Sequence, residues 1–204
     1  MGLVKIKNTN DGKIGFWKLS NSDDLNFAET ILNSYHPNWK NYKNKNRRHQ
    51  ILAARLLANK LCPNQQITQN EYGKPFLIDS NDHISISNEK DVIAMYISKH
   101  PCGIDIQSIN TKIVKIYHKF YNDNDSIDIL DKKQLTQLWT SKEAMYKIYG
   151  IPSILFKEHL ILKKESSADY YGYCTSPSIT FQCKINLHSF ENYLLAFTSN
   201  FKKS

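Results

Sequence analysis

The chain lacks any long apolar run. In 204 residues nothing approaches the roughly 18 consecutive apolar residues of a membrane span, which excludes helical membrane proteins from consideration. The opening segment MGLVKIKNTNDGKIGFW is broken by charges every few residues, so it does not read as a signal peptide. Gly2 is followed by Lys5 and Ile6, without the Ser or Thr that a myristoylation site needs. The expectation is a cytoplasmic protein with no membrane partner. Cysteine is also scarce: Cys62, Cys102, Cys174 and Cys183 are scattered, with no C-x-x-C pair and no histidines at zinc-finger spacing. That excludes a metal knuckle and a disulfide framework, and predicts four reduced, mostly buried thiols.

What is present is ordinary globular composition, 41% hydrophobic and 23% charged, enough for one large domain or two small ones. A net charge of +8 favours an acidic partner: nucleic acid, a membrane surface, a phosphorylated cofactor or an acidic protein. The basic stretch KNYKNKNRR raises nucleic-acid binding, but there is neither a zinc finger nor an aromatic strand pattern of the RNP kind. Nucleic acid is therefore not expected as a partner.

Alternating residues on either side of Asp11-Gly12 predict a hairpin. Ser22-Asp23-Asp24 opens a predicted short helix through about Tyr35, and a longer helix spans about Arg47 to Leu61 before Pro63 stops it. Extended structure resumes at QITQNEYGKPFLI. Later, HISISNEKDVIAMYISK and TFQCKINLHSFENYLLAFTSN share one layout of strand, polar turn and strand. Their similarity suggests two related α/β halves with a boundary near Pro101. CGIDIQS reads as a strand with Ile104 and Ile106 on one face and Asp105 and Gln107 on the other. Gly103 leaves room for something to approach the backbone. Helices are predicted at about Lys112 to Tyr121 and Asp131 to Tyr149.

The last of these helices contains LWTSKEAMYKIYG. On a helical wheel Leu135, Leu138, Trp139, Met145, Tyr146 and Tyr149 form one apolar stripe, and Lys142 falls in its middle. A cation at the centre of a core stripe needs a partner or an exit to water, because burying a charge alone is costly. One reading is snorkelling, with the stem on apolar surface and the ammonium in solvent. The other is an ammonium reaching a cleft that holds phosphates. Glu143 on the same helix is either an i,i+4 ion pair with Lys147 or, with Asp105, one of two carboxylates for a magnesium ion.

CGIDIQ followed after a helix by LWTSKEAMYK resembles the paired signature of the 4′-phosphopantetheinyl transferases, G-[I/V]-D-[I/V]-E and W-[S/T/C]-x-K-E-[A/S]-x-x-K. The resemblance extends upstream through RRHQILAARLL, YGKP (Tyr72 to Pro75) and ISISNE (Ile84 to Glu89), and the length is similar to that of the larger, pseudo-dimeric single-chain type. This implies an α+β fold: two similar α/β subdomains, residues 1–100 and 101–204, related by a pseudo-twofold and each with an antiparallel sheet packed on helices. It implies transfer of the phosphopantetheine arm of coenzyme A to a serine of an acyl or peptidyl carrier protein, releasing adenosine 3′,5′-bisphosphate. An acidic carrier protein accounts for the basic charge, and two internal halves make a monomer sufficient.

Carried over by the resemblance, Asp105, Gln107 and Glu143 would hold Mg²⁺, and Lys147 and Lys142 would meet the phosphates. Trp139 would wall the site. Lys74, Ser87, Asn88 and Arg48 would bind the adenosine end, with Arg47 an equal candidate to Arg48. Asp125 would take the serine proton, with Asp123 close enough to blur the assignment; the same Asn/Asp cluster also reads as a loop with a helix cap. Three positions depart from the family's pattern. Gln107 stands where a second acid is usual, Asn88 replaces a histidine, and Asp125 is one methylene shorter than glutamate. The alternative they imply is a relative that binds coenzyme A or a carrier protein without efficient turnover.

Overall fold

The computed structural model describes residues 3–19, 43–166 and 169–203; the predicted helix from Ser22 to Tyr35 lies outside the described residues. Strands β1 (Leu3–Asn8) and β2 (Gly12–Lys18) form the hairpin expected around Asp11-Gly12. Helix α1 (Lys45–Leu61) begins where the Asn44 side chain accepts a hydrogen bond from the Arg47 amide at 3.2 Å. A short ribbon, β3 (Ile67–Gln69) with β4 (Pro75–Leu77), precedes a second hairpin, β5 (His83–Glu89) and β6 (Val92–Ser98). The first sheet is antiparallel throughout, in the order β1-β2-β6-β5.

The second sheet opens with β7 (Ile104–Ser108). A short helix α2 (Ile113–Ile116) and a 3-10 turn (Tyr117–Lys119) stand where one longer helix was predicted. Helix α3 (Lys132–Lys147) starts on the Asp131 carboxylate, which accepts from the amides of Lys133 at 2.7 Å and Gln134 at 3.4 Å. A single turn α4 (Phe156–His159) leads into β8 (Leu160–Lys164), β9 (Tyr170–Ser176), β10 (Ile179–Phe190) and β11 (Tyr193–Lys203). The order is β7-β11-β10-β9-β8, again antiparallel.

Three buried clusters stack these layers as helix, sheet, sheet, helix. Leu57 and Leu61 of α1 pack with Ile84, Ile93 and Met95. Ile14, Ala94 and Tyr96 meet Ile104, Ile106, Leu195 and Phe197 between the sheets, with the Tyr96 and Phe197 rings edge to face at 5.5 Å. Leu135, Leu138 and Met145 of α3 cover Leu160, Phe181 and Ile185. Strand β6 is covered on both faces, which explains why VIAMYIS is apolar without alternation. Gly103 is required by this stacking. A Cβ there would sit 1.7 Å from the carbonyl oxygen of Ala144, so what approaches the glycine backbone is helix α3 itself. This close approach sets the residues flanking Ala144 beside strand β7.

Candidate functional site

Strand alternation turns Ile104 and Ile106 into the inter-sheet core and leaves Asp105 and Gln107 on the α3 side. Asp105 is 1% exposed, yet its carboxylate is engaged by three polar neighbours. Oδ1 accepts from Lys147 Nζ at 2.6 Å and from Ser87 Oγ at 2.6 Å; Oδ2 accepts from Gln107 Nε2 at 2.9 Å. Glu143 stands one helical turn before Lys147 on α3. Its pKa is pushed up to about 7, first by burial and then by the negative charge of Asp105, with Lys147 opposing. A buried glutamate whose ionisation is made costlier by a neighbouring carboxylate suits a bound cation.

Lys142 does not reach this cluster. Its ammonium is fully buried and donates to Asp125 Oδ2 at 2.7 Å, to the Phe120 carbonyl at 2.7 Å and to the Phe156 carbonyl at 3.2 Å. Those three acceptors use all three of its hydrogens. Burial lowers its pKa and the Asp125 charge opposes that shift. Neither snorkelling nor a phosphate cleft describes it; the partner demanded by the core stripe is Asp125. Asp125 is correspondingly unsuited to be the base. Its Oδ2 also accepts from the Asn122 amide at 2.8 Å and its Oδ1 from the Leu162 amide at 2.8 Å, so the carboxylate ties the 120–126 loop to α3 and β8. Asp123, on the same turn, is exposed. Trp139 packs beside this pair, 5.1 Å from the Phe120 ring and 5.3 Å from that of Phe156, as part of the core against α3.

The residues expected at the adenosine end divide into two places. Lys74 donates to the carbonyls of Lys147, at 3.1 Å, and Ile148, and so caps the C-terminal end of α3; burial lowers its pKa. It lines a hollow of about 170 Å³ with Tyr72, Tyr146, Lys147 and Gly150. Ser87 is 4% exposed and turned toward Asp105 rather than toward an open surface. Asn88 is exposed; its side chain accepts from Arg47 at 3.2 Å and donates to Gln50 at 3.0 Å. Arg47 and Asn88 border a second hollow, of about 190 Å³, between α1, the β3–β4 ribbon and the first sheet. Arg48, one residue on, is half-buried on α1.

Arg55, on α1, borders the same hollow, and burial lowers its pKa. An arginine among the apolar positions of α1 was the available signal. Among the described residues no group of three or more His, Cys, Asp or Glu side chains is arranged to hold a metal. Any cation here would rest on the two carboxylates and on neutral oxygens. Gln107 offers such an oxygen only through its carbonyl, since its amide nitrogen is committed to Asp105.

Sequence comparison agrees with the resemblance in the motifs. The chain is 40% identical over 96 residues to the 4′-phosphopantetheinyl transferase gsp of Aneurinibacillus migulanus, covering 43% of this chain and 40% of that protein. It is 29% identical over 92 residues to the 4′-phosphopantetheinyl transferase ffp of Bacillus subtilis, covering 42% and 41%. With the 4′-phosphopantetheinyl transferase Sfp of Bacillus subtilis (strain 168) the identity is 25% over 147 residues, covering 65% and 66%. The matched segment thus spans about two fifths of the first two relatives and about two thirds of the third. No family model matches the chain.

Proposed function

From a chain that is a relative of the 4′-phosphopantetheinyl transferases, we propose an enzyme that transfers the 4′-phosphopantetheine arm of coenzyme A to a serine hydroxyl of an acyl or peptidyl carrier protein. The serine oxygen forms a bond to the phosphorus next to the pantetheine. The bond from that phosphorus to adenosine 3′,5′-bisphosphate breaks, and the serine proton is released. The observation that carries this reading is the convergence of Asp105, Glu143 and Lys147 from β7 and α3, with Lys147 Nζ 2.6 Å from Asp105.

Asp105 and Glu143 would hold a magnesium ion, and the Asp105 charge that adds to the cost of ionising Glu143 supports that assignment. When bound, Mg²⁺ supplies positive charge at the pyrophosphate oxygens. Lys147, a quarter exposed, can turn from Asp105 to a phosphate oxygen without leaving the site. Arg47, Arg55 and Asn88 would receive the adenosine end and its 3′-phosphate in the hollow beside α1, with Arg48 on the same turn. Lys74 would act by holding the end of α3 and lining the smaller hollow. With both Asp125 oxygens engaged, the serine proton passes to exposed Asp123 or to water.

The halves would be residues 1–100 and 101–204, related by a pseudo-twofold that sets the β5–β6 hairpin against β10–β11, in a cytoplasmic monomer. The basic net charge fits an acidic carrier protein and would speed its docking. A binder without turnover is the second reading, and the amide of Gln107 against Asp105 favours it, because a neutral group replaces a possible ligand charge.

The test is a mass measurement. Apo carrier protein incubated with the chain, coenzyme A and Mg²⁺ gains the mass of phosphopantetheine on one serine if the first reading holds. Tight coenzyme A binding that ignores Mg²⁺, with no product, supports the second.

A further inference from the structure

Strand β7 is an edge of the second sheet, and only one of its sides pairs with β11. In an antiparallel edge strand alternate amides point away from the partner and are left without acceptors. The amides of Ile104 and Ile106 meet serines from β5, the edge of the other sheet. The Ile104 amide donates to Ser85 Oγ at 3.1 Å and the Ile106 amide to Ser87 Oγ at 3.3 Å. Alternation along Ile84-Ser85-Ile86-Ser87 explains the reach: Ile84 packs toward α1, so both hydroxyls face β7. They are 2% and 4% exposed, so solvent has little access to these contacts, although Ser85 also borders the smaller hollow.

The two serines differ in one respect. A hydroxyl has one hydrogen to give and lone pairs to receive with. Ser87 receives from Ile106 and gives its hydrogen to Asp105 Oδ1 at 2.6 Å, and Ser85 makes no contact with that carboxylate. Because the Ile106 amide fixes the Ser87 oxygen, the hydrogen it donates fixes the plane of the Asp105 carboxylate. Gln107 holds the other oxygen.

We infer that Ser85 and Ser87 stitch the edges of the two sheets together, and that Ser87 alone is a positioning residue that orients Asp105 for a divalent cation. The cation half of this inference rests on the proposed function; the stitch does not.

The experiment compares Ser85→Ala, Ser87→Ala and Ser87→Thr with the unaltered protein. Amide hydrogen exchange should speed up at Ile104 in Ser85→Ala and at Ile106 in Ser87→Ala, and protection retained at both would overturn the stitch. Mn²⁺ binding followed by electron paramagnetic resonance should weaken about tenfold in Ser87→Ala, as for other outer-shell partners of metal ligands. It should hold within about twofold in Ser85→Ala and Ser87→Thr. Equal losses in the two alanine variants, or none in Ser87→Ala, would overturn the positioning role. Failure of the unaltered protein to modify any carrier protein would sink the proposed transferase instead, and the exchange comparison would still decide the stitch.

Discussion

Lys142 and Asp125 are joined at 2.7 Å with both side chains wholly buried, so the central cation of the α3 stripe is neutralised by the loop that precedes the helix. Removing one member of such a pair leaves the other charged and unpartnered in the core, typically at a cost of about 3–5 kcal/mol. Lys142→Met is expected to lower unfolding free energy by that amount in urea titration. Lys142→Met with Asp125→Asn should recover part of it, since asparagine still accepts from the Leu162 amide without bringing a charge. A Lys142→Met protein of unaltered stability would show that the pair contributes nothing to the fold.

Glu143 and Lys147 should act first on transfer. Both lie on the partly open side of α3, and Lys147 is a quarter exposed, so little packing is lost with either. Glu143→Ala and Lys147→Ala are expected to reduce phosphopantetheine transfer about 10²–10³-fold, the usual effect of deleting a group that stabilises developing charge. The melting temperature should stay within a few degrees for Glu143→Ala; Lys147→Ala also takes the cation from the buried Asp105 carboxylate, so it should lose stability as well. Rates from the carrier mass shift, set beside melting curves of the same preparations, separate the two effects.

Gln107 gives a test of the cation site from the other direction. Its amide nitrogen donates to Asp105 Oδ2 at 2.9 Å, and glutamate there would replace that donor with a like charge. Gln107→Glu should destabilise the protein in chelator by about 1.5–3 kcal/mol, the range for losing a hydrogen bond to a charged group. Added Mg²⁺ should raise its melting temperature more than it raises that of the unaltered chain, because the variant gains a third carboxylate. Equal shifts would show that no cation binds between these side chains.

The sequence foretold the layers better than the destinations of its charged groups. Hairpins at Asp11-Gly12 and at 83–98, helix α1 and helix α3 all follow from local periodicity and caps, which a few neighbouring residues determine. The convergence of Asp105 with Lys147 followed from a motif pair, and Gly103 marked where the helix crosses the strand. Lys142, Lys74 and Ser87 have partners that the local pattern did not name, for one shared reason. Each is a polar side chain whose partner lies far away in sequence: Asp125 for Lys142, the end of α3 for Lys74, and Asp105 for Ser87. Residue type announces that a partner is needed, and only the packed structure identifies it.

The cysteines make the last expectation. Burial pushes the Cys62 thiol up to about 11 and the Cys102 thiol up to about 12, and Cys183 moves in the same direction for the same reason. A raised thiol pKa means less thiolate at any given pH, and at pH 8 a group titrating near 11 is roughly 0.1% ionised. Iodoacetamide at pH 8 should therefore leave Cys62, Cys102 and Cys183 unmodified in the native protein, while guanidinium exposes all four thiols. Between pH 8 and pH 10 the small thiolate fraction at Cys62 rises about a hundredfold, whereas fully enclosed Cys102 and Cys183 stay protected until the chain opens. Peptide mass mapping distinguishes the two behaviours, and native labelling of Cys102 at pH 8 would mean that the inter-sheet core opens far more readily than its packing implies.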